Sequence, residues 1–270
     1  MPNLQDPRTV IELFDLTSRT ALVTGGTGWL GRAISIALAE AGANVVVASR
    51  DSNRAQQASA DLPVYRTSQC HYGVALDHMR KDSLHDGFEQ ARACTGQIHI
   101  LVNNGIASVG QDLTAISFES FAQHQVNNAG YFELSRMVRD HAVERSQPAS
   151  IINVGSMYGE VASYPEAYAG IAPASSVAYQ TLKAGTIQLT RHLAVYWAAD
   201  RVRVNCLSPG PFPNPGTAPA ELMTRLESKV PLRRLGNPEE LKGAVVFLAS
   251  DASSYVTGLN LVVDGGWTVW

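Results

Sequence analysis

In the stretch SSVAYQTLKAG, Tyr179 and Lys183 stand four residues apart. On a helix that spacing puts both side chains on one face, one turn apart. Of the nine tyrosines, Tyr179 alone has a lysine four positions on. A pair on a solvated helix face has the same spacing, so the chemistry must give it meaning. A tyrosine hydroxyl ordinarily has a pKa of ~10. A neighbouring ammonium, together with the charge of a nicotinamide ring, favours the phenolate and brings that value towards working pH, making the phenol a usable acid and base. Hydride transfer between an alcohol carbon and a nicotinamide ring demands such a group, because the hydroxyl proton must move too. A second polar group follows the run IINV, in Gly155-Ser156-Met157-Tyr158-Gly159. Ser156, at a strand end on the same crevice, would hold the substrate oxygen. Lys183 would also hydrogen-bond the nicotinamide ribose.

That chemistry needs a cofactor cradle. The run TALV leads into Thr24-Gly25-Gly26-Thr27-Gly28-Trp29-Leu30-Gly31 and then into RAISIALAEAG. Strand, glycine turn and helix N-terminus form a mononucleotide-binding arrangement. Its glycines let the backbone approach a pyrophosphate, and the helix start presents free N–H groups. Gly25, Thr27, Gly28, Trp29, Leu30 and Gly31 are the candidate contacts, and Trp29 is expected to turn its side chain away from the pyrophosphate. A tight turn is the plainer reading of a glycine cluster; the flanking strand and helix argue against it. The second strand ends VVVASRD. A carboxylate there would bind a ribose 2′-hydroxyl, whereas a cation suits a 2′-phosphate. Ser49 followed by Arg50 leans to NADP(H), and Asp51, able to pair with Arg50 or reach the ribose, keeps NAD(H) open. Arg50 as a plain surface charge is the alternative. Leu76 and Asp77 end the third strand, where Asp77 can accept from the adenine amino group or cap the following helix.

Two near-identical strings compete for the next contact. LVNNG at 101–105 closes a strand, and ligands of open parallel sheets bind at such ends, so Asn103, Asn104 and Gly105 are assigned to the cofactor. VNNAG at 126–130 lies in a helical pattern, with Phe118, Phe121, Ala122, Gln125, Val126 and Ala129 recurring at steps of three and four. Gly130 in mid-helix costs about 1 kcal/mol against Ala, so close packing is expected there. Asn127 is an amide that matters only if it faces the sheet edge; otherwise it belongs to a solvated helix face.

The elements that must position these groups alternate. Strands are expected at 20–23, 44–49, 71–76, 98–102, 150–154, 202–207 and 259–263. Helices are expected at 30–41, 54–60, 83–93, 118–143, 177–199 and 238–248. Runs such as VVVAS are apolar without alternation, as in a parallel sheet covered on both faces. The fold class is α/β: a single Rossmann-type domain, doubly wound, with a parallel sheet of about seven strands and helices on both faces. Residues 1–18 are expected as an arm and 19–270 as the domain.

Composition agrees with a globular protein. The 270 residues are 45% hydrophobic and 17% charged, with a formal net charge of −3, which points to neither nucleic acid nor an acidic membrane surface as partner. No apolar run reaches the about 20 residues of a membrane span. The start MPNLQDPRTV lacks the pattern of a signal peptide, so a cytoplasmic location is expected. Cys70, Cys94 and Cys206 are far apart and form no C-x-x-C, so neither disulfides nor a metal site is expected.

Residues 19–266 resemble a classical short-chain dehydrogenase/reductase. The likeness rests on TGGTGWLG, Asp77, LVNNG, VNNAG, GSMYG, YQTLK, VRVNCLSPG, PLRRLGNPEEL, FLAS and TGLNLVVDGG. It implies that Tyr179 is the general acid/base, Lys183 its pKa-lowering partner and Ser156 the substrate-orienting residue. It implies that Asn127 holds a water linking the lysine to solvent. Pro209, Gly210 and Phe212 resemble the loop whose backbone meets the nicotinamide carboxamide. Four departures stand out. Trp29 replaces a glycine of the usual pattern, so that Gly25, Gly28 and Gly31 follow the spacing of the extended branch. Ile106 follows NNG where alanine is usual, and Asn214 stands where a threonine commonly contacts the cofactor. The Ser156–Tyr179 interval is also longer than usual, with the excess in EVASYPEAYAGIAPASSVA, about 160–178. That insertion and the loop at about 211–230 border the substrate side. Similar insertions occur near gluconate 5-dehydrogenases and sugar-modifying members, which implies a sugar, sugar acid or polyol as small-molecule substrate. An acyl or cyclic ketone is the alternative, and a catalytically silent nucleotide sensor a third reading, disfavoured because Tyr179 and Lys183 are both present. The resemblance also implies a homo-oligomer, tetramer or dimer.

Overall fold

The computed structural model describes residues 7–108 and 113–270. The first six residues of the expected arm lie outside the described residues. Seven strands form one sheet: β1 Thr20–Thr24, β2 Asn44–Ser49, β3 Tyr72–Ala75, β4 Ile100–Asn103, β5 Ala149–Val154, β6 Val202–Pro209 and β7 Asn260–Val263. Their order is β3-β2-β1-β4-β5-β6-β7, and every neighbouring pair is parallel. The described helices are α1 Val10–Phe14, α2 Trp29–Glu40, α3 Ser52–Ala60, α4 Lys81–Thr95, α5 Phe118–Glu144, α6 Pro165–Tyr168, α7 Val177–Trp197, α8 Ala220–Glu227 and α9 Lys242–Ala249. This is the doubly wound α/β sheet that the sequence predicts, and none of these helices is long and apolar enough to cross a membrane.

The sheet is buried on both faces, which explains its unbroken apolar runs. Along β2, Val45 and Val47 join a core with Ile34 and Leu38 of α2 and Val245 and Leu248 of α9. Val46 and Ala48 face the opposite core, with Phe88 of α4, Leu134 of α5 and Leu193 of α7. Connections run to opposite sides of β1, so the switch point lies between β1 and β4, where a crevice opens at the strand ends. The register pairs Val23 with both Val47 and Val102. It thereby brings Thr24, Ser49 and Asn103 to one edge.

Three short helices, α1, α6 and α8, were not expected. α1 carries a capping box between Thr9 and Glu12. It lies on its own chain: the Phe14 ring is 6.5 Å from that of Phe247, and Leu16 is fully buried. α3 starts two residues before the expected position because Asp51 caps it, accepting from the Arg54 N–H at 3.1 Å. The last helix is divided. A 3-10 turn, Pro238–Leu241, opened by a capping box of Asn237 and Glu240, precedes α9.

Candidate active site

A cleft of about 710 Å³ runs along the carboxyl ends of the strands. Gly25, Thr27, Gly28, Trp29, Leu30, Gly31, Ser49, Arg50, Leu76, Asp77, Asn104, Gly105, Ser156, Tyr179, Lys183, Pro209, Gly210 and Phe212 all line it. Of the candidate catalytic and cofactor residues, Asn103 and Asn127 do not.

The glycine turn is held by the strand next to it. Gly25 has φ +61°, and a Cβ there would stand 2.7 Å from the Gly105 Cα. The Asn104 side chain donates to the carbonyls of Thr24 and Gly25, both at 3.1 Å. In return the Thr24 hydroxyl accepts from the N–H groups of Asn104 and Gly105, both at 3.0 Å. Gly28 caps α2 without a side-chain bond, so the first-turn N–H groups are left to the cleft that Trp29, Leu30 and Gly31 line. A cradle in which no side chain fits, closed by a bare helix N-terminus, suits a dinucleotide pyrophosphate. The Trp29 side chain is 43% exposed and forms part of the cleft wall.

At the end of the cleft beside β2, Arg50 and Arg54 are both exposed and have no ion-pair partner among the described residues. Asp51 is occupied as the α3 cap rather than paired with Arg50. Asp77 does not cap α4, whose N-cap is Arg80. Its carboxylate accepts from the Met79 N–H at 3.0 Å and lies on the cleft.

At the other end, Ser156 follows β5, and Tyr179 and Lys183 lie on the first two turns of α7, capped by Ser176. Lys183 is 3% exposed and donates to the Val154 carbonyl at 2.6 Å. Its Nζ lies 5.7 Å from the centre of the Tyr179 ring. Burial brings the Lys183 pKa down to about 8. The Tyr179 phenol is pushed up by burial, with the Ser156 hydroxyl acting in the opposite sense. The depressed phenol pKa expected from the sequence is therefore not a property of the protein alone. Desolvation outweighs the hydrogen bond from Ser156.

Asn103 is 1% exposed and turned beneath the sheet edge, donating to Asn153 Oδ1 at 2.8 Å and Ser135 Oγ at 3.0 Å. Its backbone neighbours, not its side chain, reach the cleft. Asn127 is fully buried on α5. Its Oδ1 accepts from the Ala107 N–H at 2.9 Å and meets His78 Nε2 at 2.7 Å. Its Nδ2 donates to the carbonyls of His124 at 2.7 Å and Ala107 at 3.1 Å. An amide has two acceptor and two donor positions, and all four are taken, so the side chain has none left for a water. The solvated-face alternative fails, since this side chain is fully buried. Gly130 is explained by the same contact region, since a Cβ there would collide with the His78 carbonyl.

The cleft also contains Arg54, His78, Ala107 and Val154, to which the sequence assigned no role, besides Asp51, Ile106 and Gly155, which it named. All but Arg54 adjoin a motif already noted, so contiguity with a strand end was the available signal. Arg54 stands four residues after Arg50, a helical spacing. Asn214 does not line the cleft; its Oδ1 accepts from the Gly216 N–H at 3.0 Å within its own loop.

Known proteins share this architecture. A family model described as enoyl-(acyl carrier protein) reductase matches residues 28–268. The D-arabinitol 2-dehydrogenase [ribulose-forming] of Candida albicans (strain WO-1) is 33% identical, over 97% of this chain and 96% of that protein. The galactitol 2-dehydrogenase of Rhizobium johnstonii is 36% identical, over 95% of this chain and 98% of that protein. Among solved structures, a gluconate 5-dehydrogenase from Burkholderia cenocepacia J2315, in complex with NADP and tartrate, superposes with a TM-score of 0.85. It is 28% identical and covers 97% of this chain and 100% of its own. Fold, cleft and relatives agree: the chain belongs to the short-chain dehydrogenase/reductase family of oxidoreductases.

Proposed function

We propose that this oxidoreductase prefers NADP(H) and acts on a secondary hydroxyl or ketone of a polyol, sugar or sugar acid. The observation that carries the reading is one cleft with Tyr179, Lys183 and Ser156 at one end and Arg50 and Arg54 at the other. Support for the substrate class comes from relatives named for arabinitol and galactitol, and for the cofactor from the NADP complex of the gluconate 5-dehydrogenase.

Nicotinamide, when bound, supplies or takes the hydride. Lys183 would hold its ribose, Pro209, Gly210 and Phe212 its carboxamide side, the Gly25–Gly31 turn the pyrophosphate, and Leu76 and Asp77 the adenine. Arg50 and Arg54 would take a 2′-phosphate. Ser156 orients the substrate oxygen. Tyr179 accepts the hydroxyl proton in oxidation and returns it in reduction. Lys183 favours the phenolate while it is charged, a state burial restricts to pH below about 8. Asn127 acts through the backbone it ties together. The insertion at 160–178 and the loop at 211–230 form the substrate-side wall.

Purified protein with NADP or NAD and a panel of polyols, sugar acids and ketones tests this by the absorbance of reduced nicotinamide. In the double variant Arg50→Ser/Arg54→Ser, NADPH should bind about tenfold or more weakly while NADH changes less than about twofold. Equal losses for both would refute the 2′-phosphate assignment. A second reading, an acyl or cyclic ketone, is favoured by the match to the family model described as enoyl-(acyl carrier protein) reductase. A 3-oxoacyl thioester and a cyclic ketone belong in the same panel. A homo-oligomer is supported by Val195 and Tyr196, 77% and 68% exposed on α7, and light scattering decides it. A cytoplasmic location is supported by the three free cysteines.

A further inference from the structure

The cleft holds an imidazole to which the proposed reaction gives no part. His78 follows Asp77 in the loop after β3, lines the cleft and is 8% exposed. Its Nε2 lies 2.7 Å from Asn127 Oδ1. The Asn127 amide nitrogen is committed to the carbonyls of His124 and Ala107, so the amide oxygen faces His78 and Nε2 must be the donor. The rest of the residue is held as well. A Cβ on Gly130 would stand 2.1 Å from the His78 carbonyl, so α5 backs the loop closely. The Tyr131 ring is centred 6.0 Å from the imidazole, and its hydroxyl donates to the Gly105 carbonyl at 2.9 Å.

With the proton on Nε2, a neutral His78 presents Nδ1 as a bare acceptor. Burial lowers its pKa below the ordinary 6.5, against the Asn127 bond and Asp77 and together with the charges of Arg50 and Lys183, so the ring is neutral at neutral pH. Nδ1 faces Gly105, where a Cβ would stand 3.2 Å from it. It has no hydrogen-bond partner among the described residues, and it is not sealed in: the buried, unpartnered ring nitrogens are those of His124 and His141. The space it opens to is the cleft that Asp77, Gly105 and Gly25 also line.

Those neighbours define what can stand there. Asp77 is assigned to the adenine and the Gly25–Gly31 turn to the pyrophosphate. The group that joins adenine to pyrophosphate is a ribose, whose free hydroxyls can donate. Arg50 and Arg54 are assigned the 2′ side, which leaves the 3′-hydroxyl. We propose that His78 is a cofactor contact whose Nδ1 accepts from the 3′-hydroxyl of the adenosine ribose, a group that NADP(H) and NAD(H) share. This rests on the dinucleotide reading above and deepens it. Asn127, on this account, sets the tautomer that makes the contact possible.

The test measures dissociation constants for NADPH, NADH and the 3′-deoxyadenosine analogue of NADH, with Tm alongside. In His78→Gln the side-chain amide can replace Nε2 against Asn127 but puts no acceptor at the place of Nδ1. In His78→Asn the amide oxygen can replace Nδ1, and the bond to Asn127 is lost. Wild type should bind NADH about fivefold to tenfold more tightly than the 3′-deoxy analogue. His78→Gln should keep its Tm, lose about that factor equally for NADPH and NADH, and no longer distinguish NADH from the analogue. His78→Asn should have a lower Tm yet still distinguish them. Equal wild-type affinities for NADH and the analogue, or discrimination that persists in His78→Gln or vanishes in His78→Asn, would overturn the contact while leaving the dinucleotide reading intact. A wild type that binds neither NADPH nor NADH would overturn that reading, and this one with it.

Discussion

At the scale of single residues, the side chain of Asn127 ties three segments into one wall. It joins α5 to the loop after β3 through His78 and to the loop after β4 through Ala107. Asn127→Ala leaves buried donors and acceptors unpaired on all three segments. Stability should drop by about 2–4 kcal/mol, measured by urea denaturation. A change within experimental error would show that these bonds contribute nothing net. The helical pairing of Tyr179 and Lys183 was legible because four residues of one strand of text encode it. The saturation of Asn127 was not, because its partners lie 49 and 20 positions away and nothing local marks them. The same limit applies to the Tyr179 pKa, whose direction depends on burial rather than on the neighbour the spacing reveals.

At the scale of elements, α5 passes so close to the loop after β3 that only a glycine fits at 130. Gly130→Ala should destabilise the protein by about 1–3 kcal/mol despite the better helix propensity of alanine, since backbone must move. A gain in Tm would mean that the loop yields freely. The sheet has its own pH limit. His99 Nδ1 accepts from the Thr20 N–H at 3.0 Å, and burial with the Arg19 charge lowers its pKa from 6.5 to about 4. Between those values the unfolded chain holds a proton that the folded one lacks. This contribution is therefore complete above pH 6.5 and is lost as the pH falls towards 4. The loss is about 2 kcal/mol once solvent screening of a partly exposed ring is allowed for. His99→Gln should flatten the stability profile in that window, and an unchanged slope would contradict it. All seven strands were legible as apolar runs. The helices α1, α6 and α8 were not: at five, four and eight residues they are too short for periodicity. α6 is held instead by tertiary contacts, such as Arg225 on its last carbonyls.

At the scale of the whole molecule, the cleft carries Arg50 and Arg54 at one end and Ser156, Tyr179 and Lys183 at the other. The formal net charge is −3, so long-range attraction of an anionic cofactor must come from the local pair Arg50 and Arg54. NADPH binding should accordingly weaken more steeply with salt than NADH binding, and parallel salt slopes would deny those arginines the 2′-phosphate. Everything else depends on Tyr179 being the group that moves the substrate proton. Tyr179→Phe keeps the ring and its packing and removes only the hydroxyl. Measured side by side, turnover of the best polyol should fall by about a thousandfold or more while the NADPH dissociation constant stays within about twofold. Turnover that persists in Tyr179→Phe would contradict the role assigned to this end of the cleft.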